Sequence, residues 1–151
     1  GLTAKFKGSL LDDDEIDPFY YNYIGGLTGL KGYSFYSIGG TKTLYGALYF
    51  RFPIVEKTDK RFGFFNFKNL YAGVFAEAGT AWVDGTLSDA SEDIKKDLGM
   101  NLRLSGSLFY GYPLAAELSA AYGLDKFMNE NVEYGREIRT YFTLLFDFPE
   151  F

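Results

Sequence analysis

The chain of 151 residues has a formal charge of −5 and neither cysteine nor histidine, which removes disulfide frameworks, thiolate or imidazole metal sites, and histidine-based acid–base or triad catalysis. Its net acidity lacks the basic face of a nucleic-acid binder. With 20% aromatic residues and Gly 18, the composition favours pleated strands and tight turns within one domain or part of one.

Residues 2–10, LTAKFKGSL, place Leu2, Ala4, Phe6 and Leu10 on one face and Thr3, Lys5, Lys7 and Ser9 on the other. This is the period of two expected of an amphipathic strand. The chain opens on this pattern without a basic and then apolar leader, so it is expected to be mature or an excerpt. Leu11–Pro18, LDDDEIDP, is rich in acids but lacks the glycine and closing glutamate of an EF-hand loop. It is read as a solvated loop, with a loose divalent-cation site as the alternative. Phe19, Tyr20, Tyr21 and Tyr23 follow, either as an interfacial aromatic girdle or as the packing of a long loop on itself.

Gly25–Gly40 is a glycine-bracketed loop holding a single cation, Lys31, in GLKGY. The next run is strictly alternating, with Leu44, Gly46, Leu48, Phe50, Phe52 and Ile54 against Thr43, Tyr45, Ala47, Tyr49 and Arg51. Val55–Asn69 is a polar and aromatic connection, long for a hairpin, that extends the flanking strands. In Leu70–Val83 the row Leu70, Ala72, Val74, Ala76, Ala78 and Trp82 opposes Tyr71, Gly73, Phe75, Glu77 and Gly79, so one carboxylate stands mid-strand. Asp84–Asp97 reads as a polar loop. Strands are expected over 98–110 and 114–125, joined by the short turn Gly111–Pro113. After the polar loop 126–135, a last strand over about 136–148 sets Ile138, Phe142, Leu144, Phe146 and Phe148 against Glu137, Arg139, Tyr141, Thr143 and Asp147.

The expected architecture is thus all-β, an antiparallel transmembrane β-barrel segment of about six strands. No run approaches the roughly 20 apolar residues of a membrane helix, but barrel strands conceal their apolar character in alternation. The expected strands approach or exceed the 9–11 residues needed to cross a bilayer at a tilt. Charges concentrate on one face, as they would where a midplane Lys or Arg on the lipid side costs about 2–4 kcal/mol. Carboxylates such as Glu117 and Asp147 read as lining of the polar face.

GLKGY (Gly29, Leu30, Lys31, Gly32, Tyr33), FAEAG (with Phe75, Glu77 and Gly79) and a final strand of alternating aromatics occur here in that order. The ordered set, with RFPI, AGTAW and LGMNLRL between, resembles the C-terminal barrel of the bacterial surface antigen superfamily, the BamA/TamA-type outer-membrane assembly factors and their relatives. In that family a long extracellular loop bearing Arg-Gly-Tyr/Phe folds back into the barrel, and its arginine pairs with an inward acid from a Phe-x-Asp-x-Gly strand. Lys31 stands where the family has arginine, Glu77 where it has aspartate, and Tyr49 at a position read as acidic in the family. The family's terminal sorting signal is resembled by Phe146, Phe148 and the terminal Phe151, with Thr143 in place of the usual glycine.

The resemblance implies that residues 1–151 are the C-terminal part of a larger, about 16-stranded barrel in the bacterial outer membrane, with 11–42 as the inward-folding loop. It implies a role in outer-membrane protein assembly, insertion or translocation. Lipid bilayer and lipopolysaccharide would surround it, and further strands from the same or another chain would complete it. Periplasmic domains, a β-propeller among them, or assembly-complex subunits would be partners. Neither cofactor nor metal nor enzymatic activity is expected. The alternatives are a passive outer-membrane channel or structural barrel, and a soluble β-sheet binding module. For Lys31 and Glu77 the alternative is a solvated lysine beside an ordinary lining carboxylate.

Overall fold

The computed structural model describes residues 1–11, 17–83, 93–109, 111–129 and 131–146. In it the alternating runs become β1 (Leu2–Leu10), β4 (Lys42–Val55), β6 (Phe65–Trp82), β7 (Lys95–Leu108), β8 (Tyr112–Gly123) and β11 (Ile138–Phe146). Each pairs antiparallel with the next in the order β1-β4-β6-β7-β8-β11, and the short β5 (Lys60–Phe62) pairs back onto β6. The sheet is not closed, and β1 and β11 are its edges. Two small antiparallel pairs lie outside it among the described residues: β2 (Asn22–Tyr23) with β3 (Gly39–Gly40), and β9 (Phe127–Asn129) with β10 (Val132–Tyr134). The described residues include no α-helix, only a 3-10 turn at Pro18–Tyr20.

Register follows from the alternation, because a slip of one residue would turn every side chain to the opposite face. Lys5, Ala47, Glu77, Asp97 and Gly123 form one cross-strand row over five strands. Two rungs away, Arg51, Gly73, Asn101, Ser119 and Tyr141 form another. The rows between, on the opposite face, carry Leu48, Leu98, Phe50, Val74 and Met100, all exposed. One face of the sheet is therefore bare and aliphatic. The other is polar and is covered by the connection between β1 and β4.

That connection supplies much of the buried apolar cluster. Ile24, Leu30, Tyr33 and Ile38 from the loop pack with Tyr45 and Ala47 of β4. Leu30 and Tyr33 are wholly buried, and such burial stabilises by about 1.5–3 kcal/mol for a leucine-sized side chain. Long connections (11–41, 83–94 and 124–137) leave one end of the sheet, and shorter ones (56–64 and 109–111) leave the other.

Several boundaries differ from the sequence expectation. Strand β7 begins at Lys95, so Lys95, Lys96 and Asp97 belong to the sheet, and Asp97 continues the row of Asn101 and Arg103. Phe109 and Gly111, both at positive φ, precede β8, and Tyr112 and Pro113 are already strand. Strand β8 ends at Gly123, and the polar loop 126–135 contains the β9–β10 pair. β11 begins at Ile138, after Gly135 and Arg136, both at positive φ (96° and 55°). Pro53 lies in β4 beyond Leu2↔Phe50, where the neighbouring strand has ended and a missing N–H leaves no gap in that ladder.

Candidate functional site

Glu77 and Asp97 are directly opposite one another at the centre of the covered face. Their flanking partners in the row, Ala47 and Gly123, are small, and this leaves a depression into which the loop descends. A tight turn presents the loop tip: Gly26 N–H donates to the Leu30 carbonyl at 2.9 Å, and Leu30 N–H donates to that of Ile24 at 2.6 Å. A side chain at Gly29 would run into the Ile24 carbonyl.

At the bottom, two consecutive loop amides meet the two acids. Lys31 N–H donates to Glu77 Oε2 at 2.9 Å, and Gly32 N–H donates to Asp97 Oδ2 at 2.6 Å. The Lys31 ammonium pairs with Glu77 Oε1 at 2.5 Å and donates to the Tyr49 hydroxyl at 2.8 Å. The Tyr45 and Tyr49 hydroxyls also donate to Glu77 Oε1, at 3.0 and 2.5 Å. The same ammonium lies 5.0 Å from the Tyr49 ring centroid and 4.7 Å from that of Phe75, so cation–π attraction adds to the charge pairing.

The rest of the motif is held as closely. Tyr33 donates to the Lys96 and Asp125 carbonyls at 2.9 and 3.1 Å, and its oxygen accepts from Asp125 N–H at 3.0 Å. From the far edge strand, Tyr141 donates to the Lys31 carbonyl at 2.9 Å. Gly32 is required by contact: a Cβ there would sit 2.5 Å from Gly123 N and 2.7 Å from Asp97 Cβ. Gly79 admits the loop in the same way, since a Cβ there would lie 2.9 Å from Ile24 Cδ1.

Burial disfavours the Lys31 ammonium, but the adjacent Glu77 charge and the hydrogen bonds to Glu77 and Tyr49 outweigh it and hold the pKa above that of an ordinary lysine. Burial pushes the Tyr33 hydroxyl up to about 12, so it remains a donor. Among the described residues, Asp97 Oδ1 is buried with no hydrogen-bond partner. The three ionic groups and their tyrosines thus engage one another and the loop backbone. Chemically, the arrangement is a clamp.

Gly29, Leu30, Lys31, Gly32 and Tyr33 therefore meet Phe75, Glu77 and Gly79 in one place. Lys31 is buried, not solvated. Phe146 is elsewhere, exposed on the bare face opposite Leu114; Phe148 and Phe151 lie outside the described residues. Most of the acidic run 12–17, with its alternative of a cation site, also lies outside them. Its last member, Asp17, accepts from Phe19 N–H at 2.9 Å. Phe19 and Tyr20 are exposed, whereas Tyr23 stacks edge-on with Tyr36 at 5.1 Å.

Tyr45, Asp97 and Tyr141 are among the members of the clamp to which sequence reasoning gave no role in the site. Asp97 and Tyr141 share the parity of a polar row already visible in the sequence, Asp97 with Asn101 and Arg103, Tyr141 with Arg139. Among the described residues, no cluster of three or more acidic side chains is arranged to hold a metal ion. No helix among them is long and apolar enough to cross a membrane, which says nothing of crossing by strands. Comparisons with protein families, with characterised proteins and with solved structures find no match.

Proposed function

We propose that the chain is a segment of an outer-membrane β-barrel in a protein that assembles, inserts or translocates other outer-membrane proteins. The observation that carries this reading is the loop Gly25–Tyr33 folded onto the polar face, with its motif cation buried on Glu77 at 2.5 Å. It joins the residues through which the sequence resembles the bacterial surface antigen superfamily. Three further features support it.

The bare face offers contiguous aliphatic and aromatic rows, including Leu48, Phe50, Val74, Met100, Leu102 and Phe142. On a soluble monomer so large an apolar surface would be a liability; against hydrocarbon it is solvated. Strands β4, β6, β7 and β8 have 14, 18, 14 and 12 residues, enough to cross a bilayer, which takes about 9–11. The two unpaired edges, β1 and β11, would be completed by further strands, because an open ladder inside a membrane leaves backbone groups unsatisfied. In this reading the polar face lines a lumen, and the clamp fixes the loop inside it.

A passive channel is the second reading, favoured by the cation-rich cavity beneath the loop. Reconstitution in liposomes separates the two. Catalysed insertion of a substrate barrel is the expected result; ion conductance without insertion would transfer the assignment to the channel. Recovery of the chain in the soluble fraction without detergent would end both.

A further inference from the structure

A cavity of about 390 Å³ lies beside the clamp, between the loop tip at Leu27–Thr28 and the polar face of the sheet. The sheet curls enough that residues of both edge strands reach it: Lys5 and Lys7 from β1, Thr143 from β11. Arg51 of β4 and Arg103 of β7 face the same space. Their only nearby counter-charge among the described residues is Glu117, at 3.7 Å from Arg51 and 4.0 Å from Arg103. Lys5 stands over the Tyr49 ring at 5.1 Å, and Lys7 reaches the Thr28 carbonyl at 3.5 Å. Neither has a carboxylate partner among the described residues. Lys31 adds nothing to this surplus, because Glu77 neutralises it.

Four cations against one carboxylate, in a chain whose net charge is −5, make a local field of the opposite sign to the molecule. Walls of low dielectric focus such a field and concentrate anions. Two guanidinium forks with hydroxyls nearby match a tetrahedral or planar oxyanion, which accepts two or more charge-assisted hydrogen bonds at once. We infer that this cavity is a binding site for a small solute bearing a phosphate group. A free solute fits better than a lipid headgroup, since the cavity opens on the loop-covered face and away from the aliphatic rows.

Calorimetric titration of the full chain, folded in a non-ionic detergent free of phosphate, tests this at constant ionic strength with inorganic phosphate as the probe. Saturable binding is expected, weakened about tenfold or more by Arg103→Gln and less by Lys5→Gln, which lies on an exposed edge strand. Glu117→Gln should tighten it severalfold, a gain that misfolding cannot mimic. Lys60→Gln, far along the exposed β5 strand, should leave it unchanged. Absence of saturable binding in the parent chain, or equal effects of Glu117→Gln and Lys60→Gln, would overturn the site. A soluble short-chain phosphatidic acid binding where inorganic phosphate does not would overturn the free-solute assignment in favour of a headgroup.

Discussion

Glu77 and Asp97 stand side by side on adjacent strands, and each accepts the amide of one of two consecutive loop residues, Lys31 and Gly32. Among the described residues only one ammonium reaches this pair, and it contacts Glu77. The two carboxylates therefore do different work. Glu77 compensates a charge, and Asp97 holds a backbone donor.

Asp97→Asn is expected to be neutral or mildly stabilising, because the amide oxygen can still accept from Gly32 and no second ionisable acid then stands opposite Glu77. Asp97→Ala should cost about 1–3 kcal/mol, the usual penalty for orphaning a buried donor. Denaturant midpoints of the two variants decide it; equal losses would mean that Asp97 acts through its charge.

Removing either partner of the Lys31–Glu77 pair should cost about 3–5 kcal/mol, since the other is left buried and uncompensated. In a double-mutant cycle of Lys31→Ala and Glu77→Ala, the second change should therefore cost much less than the first, with a coupling of about 0.5–3 kcal/mol. Strict additivity would show that the two side chains are adjacent without acting together.

The pH dependence of the clamp has a definite sign. Because the folded pKa of Lys31 is raised, its contribution is fully present below the pKa of an unfolded lysine and is lost as pH climbs through the higher folded value. Near-ultraviolet circular dichroism of the buried tyrosines should report loop release in that alkaline range. Lys31→Arg should move the release to still higher pH, because a guanidinium does not deprotonate there.

Gly32→Ala should eject the loop even though it adds only a methyl group, since the atoms it would meet are Gly123 backbone and Asp97 Cβ. Trypsin is the probe: Lys31, buried in the parent chain, should become a cleavage site. Continued protection would mean that the backbone of β8 yields.

The strands were legible because one face of each is apolar and the other is not, and a period of two survives inspection of a single sequence. Leu44 to Ile54 announces β4 almost to its last residue. The start of β7 was not legible: Lys95, Lys96 and Asp97 are charged and follow a polar run, so composition outweighed parity. Parity was the better guide, for it already placed Asp97 with Asn101. The meeting of Lys31 with Glu77 came from a resemblance between motifs, and no periodicity in the loop indicates where it lands. Tyr141 was seen only as a member of a polar row, because its partner is a backbone carbonyl more than a hundred positions away, a relationship that leaves no trace in side-chain pattern.

The partners of the loop tip are separated from it by 46 residues at Glu77, 65 at Asp97, 92 at Asp125 and 110 at Tyr141. Contacts so remote in sequence are entropically slow to close, and here they cannot all form until β11 has joined β8. The complete set of loop contacts therefore waits on the pairing of β11 with β8. A chain in which β11 has not yet paired would lack the Tyr141 anchor on the Lys31 carbonyl, which makes the fully docked tip a built-in sign that these six strands have met.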